Sequence, residues 1–599
     1  MEVKQIAVIA VTAAGLAMAR RIAAALPGAE LHGRAGRVAD CTVSFAETTM
    51  HLRRLFADGV PIVGVCSAGI LIRAVAPLLA DKMTEPPLLA VGVDGGSVVP
   101  LLGGHHGANR LAAEIARALG AHLAVTTAGD LALGLGVDDP PEGWRVANPD
   151  AAKPVAAALL AGQPVRLEVE AGEAGWLVAS GLGEHGEWGI RVTDHAVDGD
   201  DELILHPPVL ALGVGCERGA PAEELITLAR ASLAESGLAA GSVACVASLD
   251  LKADEPAVHA LAAELGVPAR FFSPAELEAQ ASRLHNPSEL VFRETGCHGV
   301  AEGAALAAAG AEGLLIMPKA KSKRATCAIA RAPRPIDAAA VGRARGRLFV
   351  VGIGPGEASW RTAEANRAIA TATDLVGYGL YLDLLGEAAQ GKHRHDGAMG
   401  AEEARARLSL DLAAEGRDVA LVCSGDAGIY ALATLVFELL DREQRTEWNR
   451  LAITVVPGIS ALQAAAARAG AVINHDFCTI SLSDLLTPWE VIERRIAAAA
   501  EGDFVVAFYN PVSQRRTSQL PAARRILLEH RPATTPVVLA RNLGRAGEAV
   551  DITSLGELDP RQVDMLTIVL VGNRESRILA LDGRRWVYTP RGYASKWTA

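Results

Sequence analysis

The 599-residue chain lacks the features of a cross-linked, metal-stapled or nucleic-acid-coating protein. Its eight cysteines (Cys41, Cys66, Cys216, Cys245, Cys297, Cys327, Cys423, Cys478) stand singly, without a CxxC pair or a zinc-like Cys/His spacing. That excludes a disulfide scaffold and leaves no metal ligand set to expect. Basic residues are in deficit, with Lys+Arg 57 against Asp+Glu 69 and a formal charge of -12. A surface that neutralises phosphates needs the opposite sign, so no nucleic-acid partner is expected. Long apolar runs are missing as well: the Ala-rich stretch 301–311 is broken by Glu and Gly well before the roughly 20 residues a membrane span needs. The start, Met1-Glu-Val-Lys-Gln, has no basic n-region or cleavage site. These absences predict a soluble cytoplasmic protein with no membrane partner.

What is present is apolar and punctuated. Half the residues are hydrophobic and 21% are charged, which is enough apolar surface to offset the entropy of ordering the chain. The length suits about three to five domains. Short Val/Ile/Leu/Ala runs alternate with Ala/Leu/Glu/Arg stretches of helical period, as in Ile6 to Val11 before Ala13 to Leu26 and Val209 to Leu212 before Pro221 to Glu235. This grammar predicts a multidomain α/β protein with largely parallel sheets. Turn-rich breaks divide it into 1–137, a poorly readable middle region 138–207, and 208–331. A Pro/Arg/Ala/Gly segment at 332–346 reads as a linker before a last domain, 347–599. After that linker the basic residues are nearly all arginine, with only Lys392 and Lys596 as lysines. Codon bias explains this as well as a preference for the planar guanidinium fork that suits carboxylates.

Three strand-turn-helix units in the last domain carry unusual polar turns. Leu348-Phe-Val-Val-Gly-Ile-Gly-Pro-Gly runs into Gly352, Gly354 and Gly356; Val419-Ala-Leu-Val-Cys-Ser-Gly-Asp ends at Ser424, Gly425 and Asp426; Ile453-Thr-Val-Val-Pro-Gly-Ile-Ser ends at Pro457, Gly458, Ser460 and Ala461. The first turn is neither a dinucleotide fingerprint nor a Walker A loop, since its spacing is GxGxG with Pro355 inside. Strand ends in open α/β sheets gather at one edge and form a ligand crevice.

With Val376-Gly-Tyr-Gly-Leu-Tyr, these turns resemble the tetrapyrrole (corrin and porphyrin) methylases. Leu482-Ser-Asp-Leu-Leu-Thr-Pro-Trp-Glu, Phe508-Tyr-Asn-Pro-Val-Ser, Thr535-Pro-Val-Val-Leu-Ala-Arg-Asn and Tyr588-Thr-Pro-Arg-Gly-Tyr narrow the resemblance to precorrin-3B C(17)-methyltransferases. The resemblance implies a two-lobed α/β methylase fold that forms a homodimer. S-adenosylmethionine would lie folded between the lobes, met by Gly425, Asp426, Ile429, Ser460 and Ala461 from the first and by Tyr509 and Asn542 from the second. Gly352, Gly354 and Pro355 would line the substrate side. The family also contracts the macrocycle, so a proton has to be managed beside the transferred methyl. Asp426, Tyr378, Tyr381, His393, His395 and Glu402 are candidates for it, though the tyrosines could equally be core side chains and His393 with His395 a solvated loop. Arg515, Arg516 and Arg541 suit the many substrate carboxylates or, as readily, an ordinary charged helix start.

In the first half, Val63-Gly-Val-Cys-Ser-Ala-Gly and Asp94-Gly-Gly-Ser through Gly103-Gly-His-His-Gly resemble the N-terminal region of cobalt-precorrin-5A hydrolases. Leu212-Gly-Val-Gly-Cys-Glu-Arg-Gly, Thr295-Gly-Cys-His-Gly-Val-Ala-Glu and Lys319-Ala-Lys-Ser-Lys-Arg resemble that family's C-terminal domain. The implied reaction opens a ring-A lactone and releases acetaldehyde. His105 and His106, flanked by glycines, are candidate catalytic residues, or else caps of the helix that follows. Lys319, Lys321, Lys323 and Arg324 could meet a polyanionic corrinoid or serve as gatekeepers of a solvated hairpin. The combined expectation is a bifunctional enzyme of corrin-ring synthesis acting on precorrins or cobalt-precorrins. The alternative is an active methyltransferase fused to a corrinoid-binding module.

Overall fold

A computed structural model describes residues 6–593 apart from 27, 39–40, 81–83, 126–136, 138–139, 179–180, 198, 200–201 and 399. The chain divides into two units. One comprises 1–348 with 410–419 and 442–453; the other comprises 349–409, 420–441 and 454–599.

The first unit contains three sheets. The first has seven strands in the order Val43–Phe45, Glu30–Arg34, Ala7–Ala10, Ile62–Val65, Leu88–Val91, Ser97–Leu102, His122–Leu123. The leading five are parallel and Ser97–Leu102 turns antiparallel. Ala7–Ala10, Ile62–Val65 and Leu88–Val91 are buried at every residue, as unbroken apolar runs between two helical layers must be. Helices Ala13–Ala25 and Ala108–Leu119 cover one face, and Thr48–Ala57 and Ala68–Val75 the other. A five-stranded sheet follows, ordered Leu182–Gly183, Val165–Val169, Trp188–Val192, Glu202–His206, Arg145–Val146. It packs against the helix Ala152–Leu160, with Trp144 set edge-on to Trp176 at 5.4 Å.

The third sheet is ordered Ala269–Phe272, Val243–Leu249, Leu210–Cys216, Ala325–Arg331, Leu314–Lys321, three parallel strands extended by an antiparallel hairpin. The alanine-rich helix Val300–Ala309 lies so close to it that a Cβ on Gly213 would collide with the Ala301 carbonyl. Small residues on both surfaces permit that approach. The segment expected to be a linker is packed along this sheet. Arg343 and Phe271 exchange two backbone hydrogen bonds of 2.8 Å, Arg270 Nε donates to Val341 O at 2.6 Å, and Ile336 N donates to Pro208 O at 2.8 Å. Pro and Arg in the sequence concealed a stretch whose backbone groups find partners on a strand edge.

Most residues of the next sheet, that of a first lobe, fall in the second unit; its order is His393–Gly397, Asp374–Tyr378, Asp418–Cys423, Arg347–Gly352, Ala452–Val456. The second lobe has the order Phe477–Ser481, Val505–Tyr509, Thr567–Val571, Pro536–Arg541, Ala549–Ser554. Helices Trp489–Glu501 and Gln519–His530 cover one of its faces and Ala461–Ala469 the other. Both units are α/β throughout, and the second has two lobes. Among the described residues no helix is long and apolar enough to cross a membrane.

Candidate active site

The three polar turns of the first lobe meet. Gly354 N donates to Gly425 O at 3.1 Å and Gly425 N to Gly354 O at 2.8 Å, which ties the first turn to the second. A Cβ on Gly352 would lie 2.7 Å from Gly425 O and 2.8 Å from Gly458 N, so only glycine allows all three backbones to converge. Gly425 adopts φ +72°, where a side chain would be strained.

Asp426 holds this junction. Its Oδ1 accepts from Gly428 N at 2.8 Å and its Oδ2 from Gly458 N at 3.0 Å, so both carboxylate oxygens are committed to backbone amides. These contacts tie the second turn to the third at a residue read from sequence as both a cofactor contact and a proton-transfer candidate. Ser460 is 1% exposed and caps the helix Ala461–Ala469: its Oγ accepts from Gln463 N, and Gln463 Oε1 accepts from Ser460 N at 2.9 Å. Ala461 opens that helix, and Ile429 is exposed beside the second turn.

The second lobe closes on these turns. Tyr509 OH accepts from Leu462 N at 3.1 Å, and burial pushes its phenol pKa up. Its ring lies 5.1 Å from that of Tyr430, whose hydroxyl donates to Thr479 O at 3.0 Å. Asn542, at φ +51°, starts a turn in which its carbonyl accepts from Arg545 N at 2.9 Å. Arg545 then reaches the first lobe, donating from Nε to Pro355 O at 2.7 Å and from Nη2 to Ser424 Oγ at 2.9 Å. A Cβ on Gly356 would overlap the Gly544 carbonyl, so the two turns touch backbone to backbone. Arg545 escaped the sequence reading. A lone Arg after Asn-Leu-Gly carries no local signal, and its partners are 121 and 190 residues away.

The proton-transfer candidates separate. Tyr378 and Tyr381 pack edge to face at 5.3 Å; Arg545 lies 5.9 Å from the Tyr381 ring, and burial raises the Tyr381 pKa. His395 Nε2 lies 2.8 Å from Oδ1 of Asp374, a buried residue, and His393 is exposed on the same strand. Glu402 pairs with Arg405 at 3.2 Å. The proposed clamps differ as well. Arg515 is exposed, whereas Arg516 is 6% exposed and donates to Asn510 O at 2.9 Å and Ser483 Oγ at 3.2 Å, which ties up a loop. Arg541 pairs with Asp564 at 2.7 Å.

In the first unit, Gly104–His106 is a single 3₁₀ turn between Gly103 at φ +78° and Gly107 at φ +85°, directly before the helix Ala108–Leu119. His106 is exposed; the side chain of His105 lies outside the described residues. The lysine cluster sits on the edge strand Leu314–Lys321 and its turn, with Lys319 Nζ donating to Asn286 O at 3.2 Å and Arg324 Nε to Glu217 at 3.0 Å. Behind it, Glu302 is 2% exposed and accepts from His285 N, Asn286 N, Asn286 Nδ2 and Lys319 N at 2.7–3.0 Å. Burial raises its pKa, but the four donors outweigh that and the net shift is downward.

Residues 347–559 match the family Tetrapyrrole (Corrin/Porphyrin) Methylases. The Precorrin-3B C(17)-methyltransferase of Sinorhizobium sp is 44% identical over 250 residues, covering 42% of this chain and 98% of that relative. The chain belongs to the tetrapyrrole methylases. The Probable cobalt-factor III C(17)-methyltransferase of Salmonella typhimurium is equally similar, at 44% over 246 residues, 41% of this chain and 99% of that protein. Cobalamin biosynthesis protein CobIJ of Mycobacterium bovis is 43% identical over 252 residues, 41% of this chain and 48% of its own length, so the chain spans about half of that relative. The tetrapyrrole methylase region is preceded by matches to Cobalamin synthesis G N-terminal over 50–130 and Cobalamin synthesis G C-terminus over 210–330.

Proposed function

We propose that the second unit is an S-adenosylmethionine-dependent methyltransferase that methylates C-17 of precorrin-3B, or its cobalt equivalent, and contracts the ring to the precorrin-4 level. The convergence of the Gly352, Gly425 and Gly458 turns beneath Tyr509 and Arg545 carries this reading. The residues suit the cofactor. Of the three glycines, Gly425 alone has open space at its Cβ position, with nothing nearer than Ala461 N and the Ser460 backbone at 3.9 Å, so a ligand can approach the backbone there. Gly425, Asp426, Ile429, Ser460, Ala461, Tyr509 and Asn542 would hold it. S-adenosylmethionine supplies a methyl group already activated on a sulfonium, which leaves the protein to position a carbon nucleophile and exclude water.

The chain's own residues serve that end. Asp426 keeps the second and third turns together, and Arg545 holds Pro355 against Ser424 on the substrate side. Tyr381 stays a neutral phenol because burial raises its pKa, so it can donate a hydrogen bond to the macrocycle. Relatives of equal identity bear precorrin-3B and cobalt-factor III names, so both substrates enter the test.

The first unit is read as the hydrolase of the same pathway, opening the lactone of cobalt-precorrin-5A and releasing acetaldehyde. The two family matches, flanking the middle sheet, support it. The whole is read as a cytoplasmic homodimer joined through the methylase.

Mass spectrometry of the purified chain with S-adenosylmethionine and each macrocycle in turn tests both halves. A gain of one methyl with ring contraction is expected on one of them; no gain on either overturns the methyltransferase reading. Absence of acetaldehyde from cobalt-precorrin-5A would reduce the first unit to a corrinoid-binding module.

A further inference from the structure

The first sheet holds a chain of titratable side chains that no motif marked. Glu30 and His32 project from the same face of the strand Glu30–Arg34, because residues two apart on a strand share a side. His32 Nε2 lies 3.6 Å from Glu30 Oε2, with the two side chains 5% and 13% exposed. On its other nitrogen, His32 Nδ1 lies 2.8 Å from Nε2 of His51, a partly exposed residue in the first turn of the helix Thr48–Ala57. Glu47 fixes that helix start by accepting from Thr49 N at 3.0 Å and Met50 N at 2.5 Å. Phe45 fixes the ring, stacking on His51 at 4.4 Å with the planes 8° apart.

Two imidazoles 2.8 Å apart share one hydrogen bond, and Glu30 decides its direction. A carboxylate beside His32 Nε2 favours a proton on that nitrogen and leaves Nδ1 as an acceptor. His51 Nε2 must then be the donor, and His51 Nδ1 carries a lone pair with no hydrogen-bond partner among the described residues. Burial, then His32, then Arg54 push the His51 pKa down to about 4, so the ring is neutral at physiological pH. The groups around it are Glu30 and His32 from the strand and Arg54 from its own helix.

We propose that Glu30, His32 and His51 form a relay in which His51 Nδ1 is the general base that activates water against a cyclic ester of a corrinoid substrate. The proposal rests on the hydrolase reading of the first unit. The step is balanced without a co-reactant. Water oxygen bonds to the lactone carbonyl carbon while Nδ1 takes its proton; the carbonyl carbon–ring oxygen bond then breaks, and the proton passes to the departing alkoxide. Net, one water is added and a hydroxy acid is left. His32 and Glu30 act as positioning residues: they hold the tautomer and place a carboxylate within reach of the transient positive charge.

The test follows lactone opening by wild type, His51→Ala, His51→Gln and Glu30→Gln on cobalt-precorrin-5A and on the simple lactone dihydrocoumarin, with circular dichroism and thermal unfolding of each variant as the folding control. Loss of about 100-fold in kcat for both His51 variants, with the spectrum and thermal midpoint of wild type retained, is the expected result. Glu30→Gln should lower kcat and shift the acid limb of the pH profile, which a packing role would not move. Unchanged turnover in the His51 variants overturns the relay and leaves the hydrolase reading standing. Wild type that opens dihydrocoumarin in a His51-dependent way, yet not the corrinoid, keeps the relay and overturns that reading; wild type that opens neither overturns both. Nitrogen-15 NMR of wild type decides the matter even if the variants misfold: a proton on His51 Nδ1 instead of Nε2 overturns the relay.

Discussion

Arg545 and Glu302 show how much one charged side chain can organise when its partners are distant in sequence. Arg545 secures the Pro355 carbonyl and the Ser424 hydroxyl together. Arg545→Ala is expected to lower methyl-transfer kcat by about 10- to 100-fold with little change in cofactor affinity, read by mass spectrometry and calorimetry, because positioning is what it contributes. Glu302 accepts four hydrogen bonds in a buried setting. Removing the carboxylate strands those donors, so Glu302→Ala should destabilise the first unit by about 3 kcal/mol in denaturant titration. Its folded pKa is lowered, so its stabilising contribution is complete above the usual glutamate value of 4.5 and is lost as the pH falls through the folded value. Wild-type thermal midpoints should therefore fall with acid below that value, and less so in Glu302→Gln.

At the scale of elements, the site depends on turns that have no room for a side chain. A methyl at Gly458 would meet the Gly425 carbonyl and the Gly352 backbone, so Gly458→Ala must push the second and third turns apart. Loss of S-adenosylmethionine binding is the expected outcome, measured by calorimetry with circular dichroism as the folding check. Tyr509→Phe removes the acceptor of Leu462 N at the start of the helix Ala461–Ala469 and should cost about 1 kcal/mol. The three turns were readable from sequence because glycine and proline at strand ends are strong local punctuation. The packing of Arg516 was not: it reads as a substrate clamp or a charged helix start, and in the fold it is buried and holds the Asn510 and Ser483 loops.

For the whole molecule, division into two compact units predicts separable activities. Gly458→Ala should abolish methyl transfer while acetaldehyde release from cobalt-precorrin-5A, assayed on the same preparation, keeps its rate. Concurrent loss of both with the fold intact would contradict independent sites.

Sequence by itself determined the layered α/β architecture, the family of the second unit and the positions of its three polar turns. Those features are written locally, in apolar runs such as Ile62–Val65 and in motifs that need only neighbouring residues. Tertiary structure decided which side chains act together. Asp426 reads in sequence as a cofactor contact or an acid, and two backbone amides donate to its two oxygens; Glu30, His32 and His51 look unremarkable and are brought together, at 3.6 Å and 2.8 Å. The segment 332–346 looks like free linker and is paired to a strand. In each case the deciding partner lies far away along the chain or across a face of a sheet, and residue spacing carries no record of what long-range packing brings into contact.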